Sequence, residues 1–302
     1  MLAPRRRTNL RVTPAPFPCV LVLLSVFLGG GLANAATIRV APGPGTPVQD
    51  AIDGASPGDR IRLAGGGYPE AIVITKPLTI VGPAGGVGDL DPPPAVIAAG
   101  CNADTTAITV AADGVTLRDL RVITFTEYGI DVQGRDNVKL QDVLVLPNCP
   151  PDPPVASVNI VASTRVRMDL GWVDAFDVPA IGIRVADIAA HGHVLLTRTL
   201  AAWYDVGMLI ENCGPDSVKI LRGDANNNDT GILLQNSDGI VVKRSTVRHN
   251  STNGIVLDAS SDDNRIIGND VHQSGVTDVT DDGIDNCWKN NRYTTGTVPS
   301  CP

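Results

Sequence analysis

At 302 residues, 43% hydrophobic and 19% charged, the chain can bury a sizeable core in one large domain or two ordinary ones. Aromatic residues are only 4%, Gly (31) and Pro (23) are abundant, and the acids are 29 Asp against 3 Glu; this balance favours turns over helix interiors and excludes a helical bundle or coiled coil. Without the four arginines of the first eleven positions, 20 basic residues face 32 acidic ones, and a net charge of −12 argues against nucleic acid or an anionic membrane as partner.

Arg5, Arg6, Arg7 and Arg11 precede an apolar run over residues 17–28, and Ala33-Asn34-Ala35 follows as a small-x-small cleavage site. This is the pattern of a cleavable signal peptide over residues 1–35 and predicts a secreted or periplasmic protein beginning near residue 36. No later stretch reaches about 18 apolar residues, so no membrane span is expected after cleavage. Thr46-Pro47-Val48-Gln49 then reads as a capping box with Pro at the first helical position. Val48, Ala51, Ile52 and Ala55 supply an apolar face and Gly54 a stop, which predicts a short helix near residues 47–53.

From residue 107 onward a short motif recurs, a small residue followed by alternating aliphatics: Gly129-Ile130-Asp131-Val132, Gly182-Ile183-Arg184-Val185, Gly207-Met208-Leu209-Ile210, Gly231-Ile232-Leu233-Leu234 and Gly254-Ile255-Val256-Leu257. Ala107-Ile108-Thr109-Val110 begins the series, Ser157-Val158-Asn159-Ile160 is a degenerate copy, and Gly283-Ile284-Asp285-Asn286 reads as the last one. The regular steps are 22 to 25 residues, and two further short strands follow each copy, as at Asn264-Arg265-Ile266-Ile267 and Asn269-Asp270-Val271. Three strands of period-two alternation per step make one coil of a β-solenoid, whose coils bury their aliphatic sides only by stacking. The expected organisation is one domain over residues 36–302: cap and first coils at 37–100, repeat coils at 101–286, and a polar tail at 287–302. At least eight coils are expected, with the helix covering the open first one. Interior Asn at tight turns, such as Asn269, would bond their equivalents in neighbouring coils.

Export permits disulfides. Cys287 and Cys301 flank the polar tail and are the best pair; Cys101 and Cys149 each follow an apolar strand and could form a second, which leaves Cys213 over.

The segment 37–82 carries Val-Gln-x-Ala-Ile, Pro-Gly-Asp-x-Ile-x-Leu, Gly-x-Tyr and Lys-Pro-Leu-Thr-Ile-x-Gly in that order. It resembles the N-terminal region of right-handed parallel β-helix proteins of the pectin-lyase-like superfamily. The later coils are similar to generic β-helix repeats, including those of a periplasmic family associated with copper delivery to nitrous oxide reductase. The resemblance implies an all-β, right-handed, three-faced parallel β-helix over nearly the whole mature chain. It implies little about chemistry, because one fold hosts many activities. The galacturonase pattern is absent, and Gly171-Trp172-Val173-Asp174-Ala175-Phe176 matches only a fragment of the esterase signature.

Site candidates therefore come from the residues. If Ile130, Ile183, Met208, Ile232, Ile255 and Ile284 point inward, one outward column holds Asp131, Arg184 and Asp285, and a second holds Gln133, Glu211, Gln235, Asp258 and Cys287. Glu211 and Asp258, two coils or about 9.6 Å apart, are the candidate acid–base pair, with Arg184 to hold a sugar carboxylate. Six of the nine aromatics outside the signal segment lie between Phe125 and Tyr204, in expected loops entering these strands. Tyr128, Trp172, Trp203 and Tyr204, with Asp131, Asp174, Asp177, Asp205 and Gln235, are the candidate sugar-binding residues. His191 and His193 alternate along an expected extended segment and could share a face as copper or zinc ligands do, but an ordinary turn is the expected reading and no metal site is assigned. The Asp224/Asn226/Asn227/Asn228/Asp229 and Asp278/Asp281/Asp282/Asp285 groups could hold calcium; otherwise no cofactor is implied. Two functions follow. One is binding or processing of an acidic polysaccharide or envelope glycan by a monomer. The other is a non-catalytic envelope or extracellular scaffold.

Overall fold

Three parallel sheets wrap one apolar interior. The computed structural model describes residues 35–83, 93–149 and 154–301, with residues 176–179 in backbone only. The expected signal segment before Ala35 lies outside these residues. Each coil runs through face I, a corner, face II, a corner, face III and a third corner back to face I. Face I begins with Ile72–Ile74, Ile108–Val110, Tyr128–Gln133 and Ala156–Val161 and ends with Asn253–Leu257 and Thr277–Asp281. Face II runs from Thr37–Val40 and Arg60–Leu63 to Arg265–Ile267 and Cys287–Lys289. Face III runs from Gly66–Tyr68 and Ala95–Ala98 to Thr246–Arg248 and Asp270–His272. The described residues thus place nine, eleven and nine strands on the three faces. The protein is a right-handed parallel β-helix, as the repeat spacing and the resemblance imply.

Strands pair with their equivalents one coil away, on face I for instance Ile130 with Val158, Val158 with Ile183, Ile183 with Met208, Met208 with Ile232 and Ile232 with Ile255. This column is fully buried. Among the described residues the register shifts only where Trp172–Ala186 and Leu200–Glu211 turn from face III to face I. Gly precedes the buried column for a steric reason. A Cβ on Gly182, Gly207 or Gly231 would sit 2.5, 2.7 or 2.8 Å from the carbonyl oxygen of the matching glycine one coil on. The last repeat departs from expectation. The strand paired with Asn253–Leu257 is Thr277–Asp281, with Val279 opposite Ile255. Ile284 is 66% exposed on the corner beyond it. Asp285 and Cys287 therefore belong to neither outward column of face I. At the position where the three preceding coils have Gly207, Gly231 and Gly254, this coil has Asp278.

The corners supply the polar interior. Asn228 and Asn250 stack: the backbone N–H of Tyr204 donates to Asn228 Oδ1, and that of Asn228 to Asn250 Oδ1. Asn269 takes the N–H of Ser245 and donates to Val242 O, and its own N–H donates to Asn291 Oδ1. Asn264 and Asn286 repeat the device. Buried backbone groups freed by each turn are thereby satisfied from the neighbouring coil. The turn from face II to face III is a single left-handed residue, Asp142, Leu170, Arg198, Arg222, Arg244, Gly268 and Asn290 on successive coils.

The open end is capped by the helix Pro47–Gly54, with Val48 and Ile52 buried. The expected capping box does not form, since the Thr46 side chain caps no backbone N–H. The cap comes from the body instead. Both Glu70 carboxylate oxygens accept helix N–H groups, from Val48 and Gln49 at 2.9 Å each. Lys76 Nζ donates to the carbonyls of Ile52, Asp53 and Ala55 at the other end. Each charge lies at the helix terminus it complements. Both disulfides form as read, Cys101–Cys149 and Cys287–Cys301, and Cys213 is a buried free thiol.

The tail after Cys287 is also held by Asp278. Its carboxylate accepts the N–H groups of Thr294 (2.7 Å), Thr295 (3.0 Å) and Ser274 (3.1 Å). Burial works to raise the Asp278 carboxyl, but these donors outweigh it and hold it below the ordinary value. A carboxyl so lowered stabilises the fold above its unfolded-state value and loses that contribution as pH falls through the folded one.

Two outcomes follow for stability. Ile232→Asp, which places a charge among fully buried aliphatics, should prevent folding, and a variant melting with wild type would show that the column is not internal. Asp278→Asn should cost about 2 kcal/mol near neutral pH and nothing in acid, where the wild-type carboxyl is itself protonated. Thermal melts from about pH 7 down to about pH 2 check this; a difference that ignores pH would remove the clamp.

Candidate functional site

On face I the outward side chains form a linked polar row. Gln133 Nε2 donates to Asp131, whose Oδ1 accepts from Asn159 Nδ2 at 2.8 Å. Asn159 Oδ1 accepts from Arg184 Nη1 at 3.0 Å, and Arg184 Nε and Nη2 lie 2.6 and 2.5 Å from Glu211 Oε1. Asn159 points outward yet is fully buried within this row. Tyr128 begins the same face. Burial first, then the charges of Glu127 and Asp131, raise its hydroxyl pKa against the pull of Arg184.

The row brings together Arg184 and Glu211 but leaves neither open. The Arg184 fork already holds a carboxylate, so a sugar carboxylate would have to displace Glu211. Asp258 follows Gln235 in the Glu211 column, but its oxygens accept the N–H groups of Asn236 and Ser260 and the hydroxyl of Ser261. It caps a turn. Glu211 and Asp258 share an edge of the helix without converging as a free acid and base. Gln235 is exposed between their coils.

The aromatics stand elsewhere. Trp172, Trp203 and Tyr204 lie on the continuous strands Trp172–Ala186 and Leu200–Glu211, which pass from face III to face I, rather than in loops. Trp172 belongs to face III, paired with Leu144 and Leu200 on its neighbours, and is 44% exposed. Trp203 sits at the corner between faces III and I with φ of 67°, 47% exposed. That left-handed residue interrupts the alternation, so Tyr204 turns inward. Tyr204 is 3% exposed, with its hydroxyl 2.8 Å from Ser157 Oγ, and is a core residue rather than a contact for substrate. Between the tryptophans Asp174 is half-buried. Burial raises its carboxyl above the ordinary value, against donations from the Trp172 side chain and the Ala175 N–H. Asp205 is exposed beyond the corner, and the Asp177 side chain lies outside the described residues.

The metal candidates do not assemble. His191 and His193 are exposed residues of a left-handed turn, not alternate positions of a strand, and His191 Nδ1 is 4.0 Å from Asp216. Of the acidic groups, Asn228 is buried in its ladder, Asp278 clamps the tail, and Asp281 accepts from Asn286 and Trp288. Among the described residues no three His, Cys, Asp or Glu side chains converge as a metal site. One cluster escaped sequence reading. A cleft of about 580 Å³ lies between face III and the tail, lined in part by Asp270, His272, Arg292 and Tyr293. His272 Nδ1 is 3.3 Å from Asp270, which also accepts from Arg248 at 2.8 Å. Only the Asp-x-His spacing on one strand announces it.

Comparison with known proteins extends this picture. The family model described as "Periplasmic copper-binding protein (NosD)" matches residues 188–299. The sequence search against curated proteins gives no match. Among solved structures, the chain is similar to the pectate lyase Pel9A, with TM-score 0.64 and 13% identity over 80% of this chain and 70% of that one. It is similar to the mannuronan C-5 epimerase AlgE4 A-module of Azotobacter vinelandii, with TM-score 0.54 and 15% identity over 82% of each. It also resembles the enzymatically active domain of the bacteriophage CBA120 tailspike protein 2, with TM-score 0.58 and 14% identity over 85% of this chain and 43% of that one. The donor positions above do not fit a copper centre: Met168, Met208 and Cys213 are buried and the histidines are dispersed. At these identities the structural likeness shows the fold alone: the chain is a parallel β-helix, and its residues 188–299 are similar to the NosD family.

Proposed function

We propose that this chain is an exported parallel β-helix protein that binds an acidic polysaccharide along its flank without turning it over. The observation that carries the reading is the pair of exposed tryptophans, Trp172 and Trp203, on neighbouring coils beside the half-buried carboxyl of Asp174. Indole faces suit sugar-ring stacking, and a carboxyl between them suits ring hydroxyls. The proteins of similar fold named as a pectate lyase and a mannuronan epimerase support a polysaccharide as the ligand. Against turnover stand the closed Arg184–Glu211 pair and the turn-capping role of Asp258. Export to the periplasm or beyond is supported by the leader pattern of residues 1–35, the two disulfides and the description of the matching family. No helix among the described residues is long and apolar enough to cross a membrane.

Trp172→Ala and Trp203→Ala should each weaken retention on an acidic polysaccharide about five- to tenfold, with melting temperature little changed, since each removes an exposed ring. Affinity electrophoresis over a panel of acidic and neutral polysaccharides measures this. Unsaturated or reducing-end products that vanish in Glu211→Gln would replace binding by catalysis. Unchanged retention in both tryptophan variants would favour the scaffold reading.

A further inference from the structure

Face II carries a charge pattern opposite to that of the whole molecule. Its eleven strands offer 22 outward positions. Ten hold Lys or Arg, and Asp169 is the one acid among them. Nine of the eleven strands contribute, from Arg39 on the first to Lys289 on the last, so the stripe runs about 48 Å at about 4.8 Å per coil. Arg39 stands directly opposite Arg62, and Lys139 opposite Arg167, although like charges in facing positions weaken a sheet. Among the described residues none of these four has an ion-pair partner, and all four are exposed. At the N-terminal end Arg39, Arg60, Arg62 and Arg118 border a shallow groove of about 500 Å³.

The edge between faces II and III makes the same point independently. Arg198, Arg222 and Arg244 occupy its left-handed position on three successive coils, where Gly268 and Asn290 stand further along the same edge. Left-handed backbone disfavours arginine relative to glycine or asparagine, and stacking three cations adds repulsion. Arg198 is paired with Asp169, while Arg222 and Arg244 are exposed with no ion-pair partner among the described residues. Trp172 stands on face III just beyond this edge, two residues after its turn residue Leu170.

We propose that face II and this edge are the docking surface for a linear, carboxylate-bearing polysaccharide lying along the helix axis. This rests on the saccharide reading above and assigns the acidity of the ligand to face II rather than to Arg184. A straight row of cations matches a chain with regularly spaced anions. Thr37, Thr79, Thr116, Gln141 and Thr197 between the charges offer partners for sugar hydroxyls. A membrane-docking surface would add exposed apolar residues, and a single-stranded nucleic acid surface would add stacking aromatics. The outward positions of face II include no exposed large hydrophobic residue, and Leu170 on the edge and Trp172 just beyond it are isolated exposed apolar groups.

The test uses polygalacturonate and its fully methyl-esterified form, which share sugars and differ in charge. Wild type should bind polygalacturonate with an affinity that falls steeply with salt. The variant Arg62→Glu/Lys139→Glu/Arg167→Glu should bind it roughly tenfold or more weakly at low salt, with melting temperature unchanged. The variant Arg62→Gln/Lys139→Gln/Arg167→Gln should fall between, and it serves if charge reversal prevents folding. Undiminished binding in a folded variant, or salt-insensitive binding by wild type, overturns the assignment and leaves the saccharide reading intact. Binding of neither polymer overturns both. Tighter binding to phosphatidylglycerol vesicles or to single-stranded DNA overturns the choice of ligand.

Discussion

No coil of this molecule has a core of its own. Each interior side chain is covered by its equivalents one step above and below, and the corner amides of Asn228, Asn250, Asn264 and Asn269 bond groups of the neighbouring coil. In-register stacking is therefore the constraint from which the rest follows. It demands small residues where backbones close up, hence the glycines at Gly182, Gly207 and Gly231. It demands amide side chains at the turns, hence the ladders through Asn228, Asn250, Asn264 and Asn269. It also demands a lid on the first coil. The helix there is fixed by Glu70 and Lys76, side chains of the body it covers, so helix and coils form as one unit.

A stack of this kind leaves only outward positions free to carry function, and neighbouring outward positions are always about 4.8 Å apart. Chemistry is consequently built as columns rather than as a pocket. On face I such a column became a self-satisfied row ending in Arg184 and Glu211. On face II it became a line of like charges that, apart from Arg118 with Asp119, has no ion-pair partner among the described residues. The contrast separates a polar surface that stabilises its own sheet from one that remains available to a ligand. The corner at Trp203 shows a third use of geometry: one left-handed residue puts an indole in solvent and the next ring in the core.

The fold was legible because stacking imposes a period that the sequence repeats, a small residue and alternating aliphatics every 22 to 25 residues. Reading failed where a residue met the same structural need by different chemistry. Asp278 replaces glycine because the tail supplies it with N–H donors, so the pattern shifted to Gly283-Ile284 on the exposed corner. Glu70, more than twenty residues away, does the capping that Thr46 was expected to do. Tyr204 and Trp203 are adjacent polar-tipped aromatics in the sequence, and only the sign of a backbone angle separates them. The basic stripe was hidden by summation: a net charge of −12 says nothing about where the minority charge is gathered.

The unpaired Cys213 has a bearing on how the molecule survives denaturation. Its thiol faces the carbonyls of Val185 and Glu211, and burial pushes it up to about 11, so the native protein presents almost no thiolate. Thiolate is the species that attacks a disulfide. While the coil around Cys213 stays closed, the Cys101–Cys149 and Cys287–Cys301 bridges are shielded from exchange with it. Once that coil opens, burial ends, the thiol returns to its ordinary acidity and the same chain carries both nucleophile and targets. Reversibility after heating is thus set by the pH met by the opened chain: neutral pH allows bridges to shuffle into mispaired forms, whereas mild acid keeps the thiol protonated and the original pairing in place.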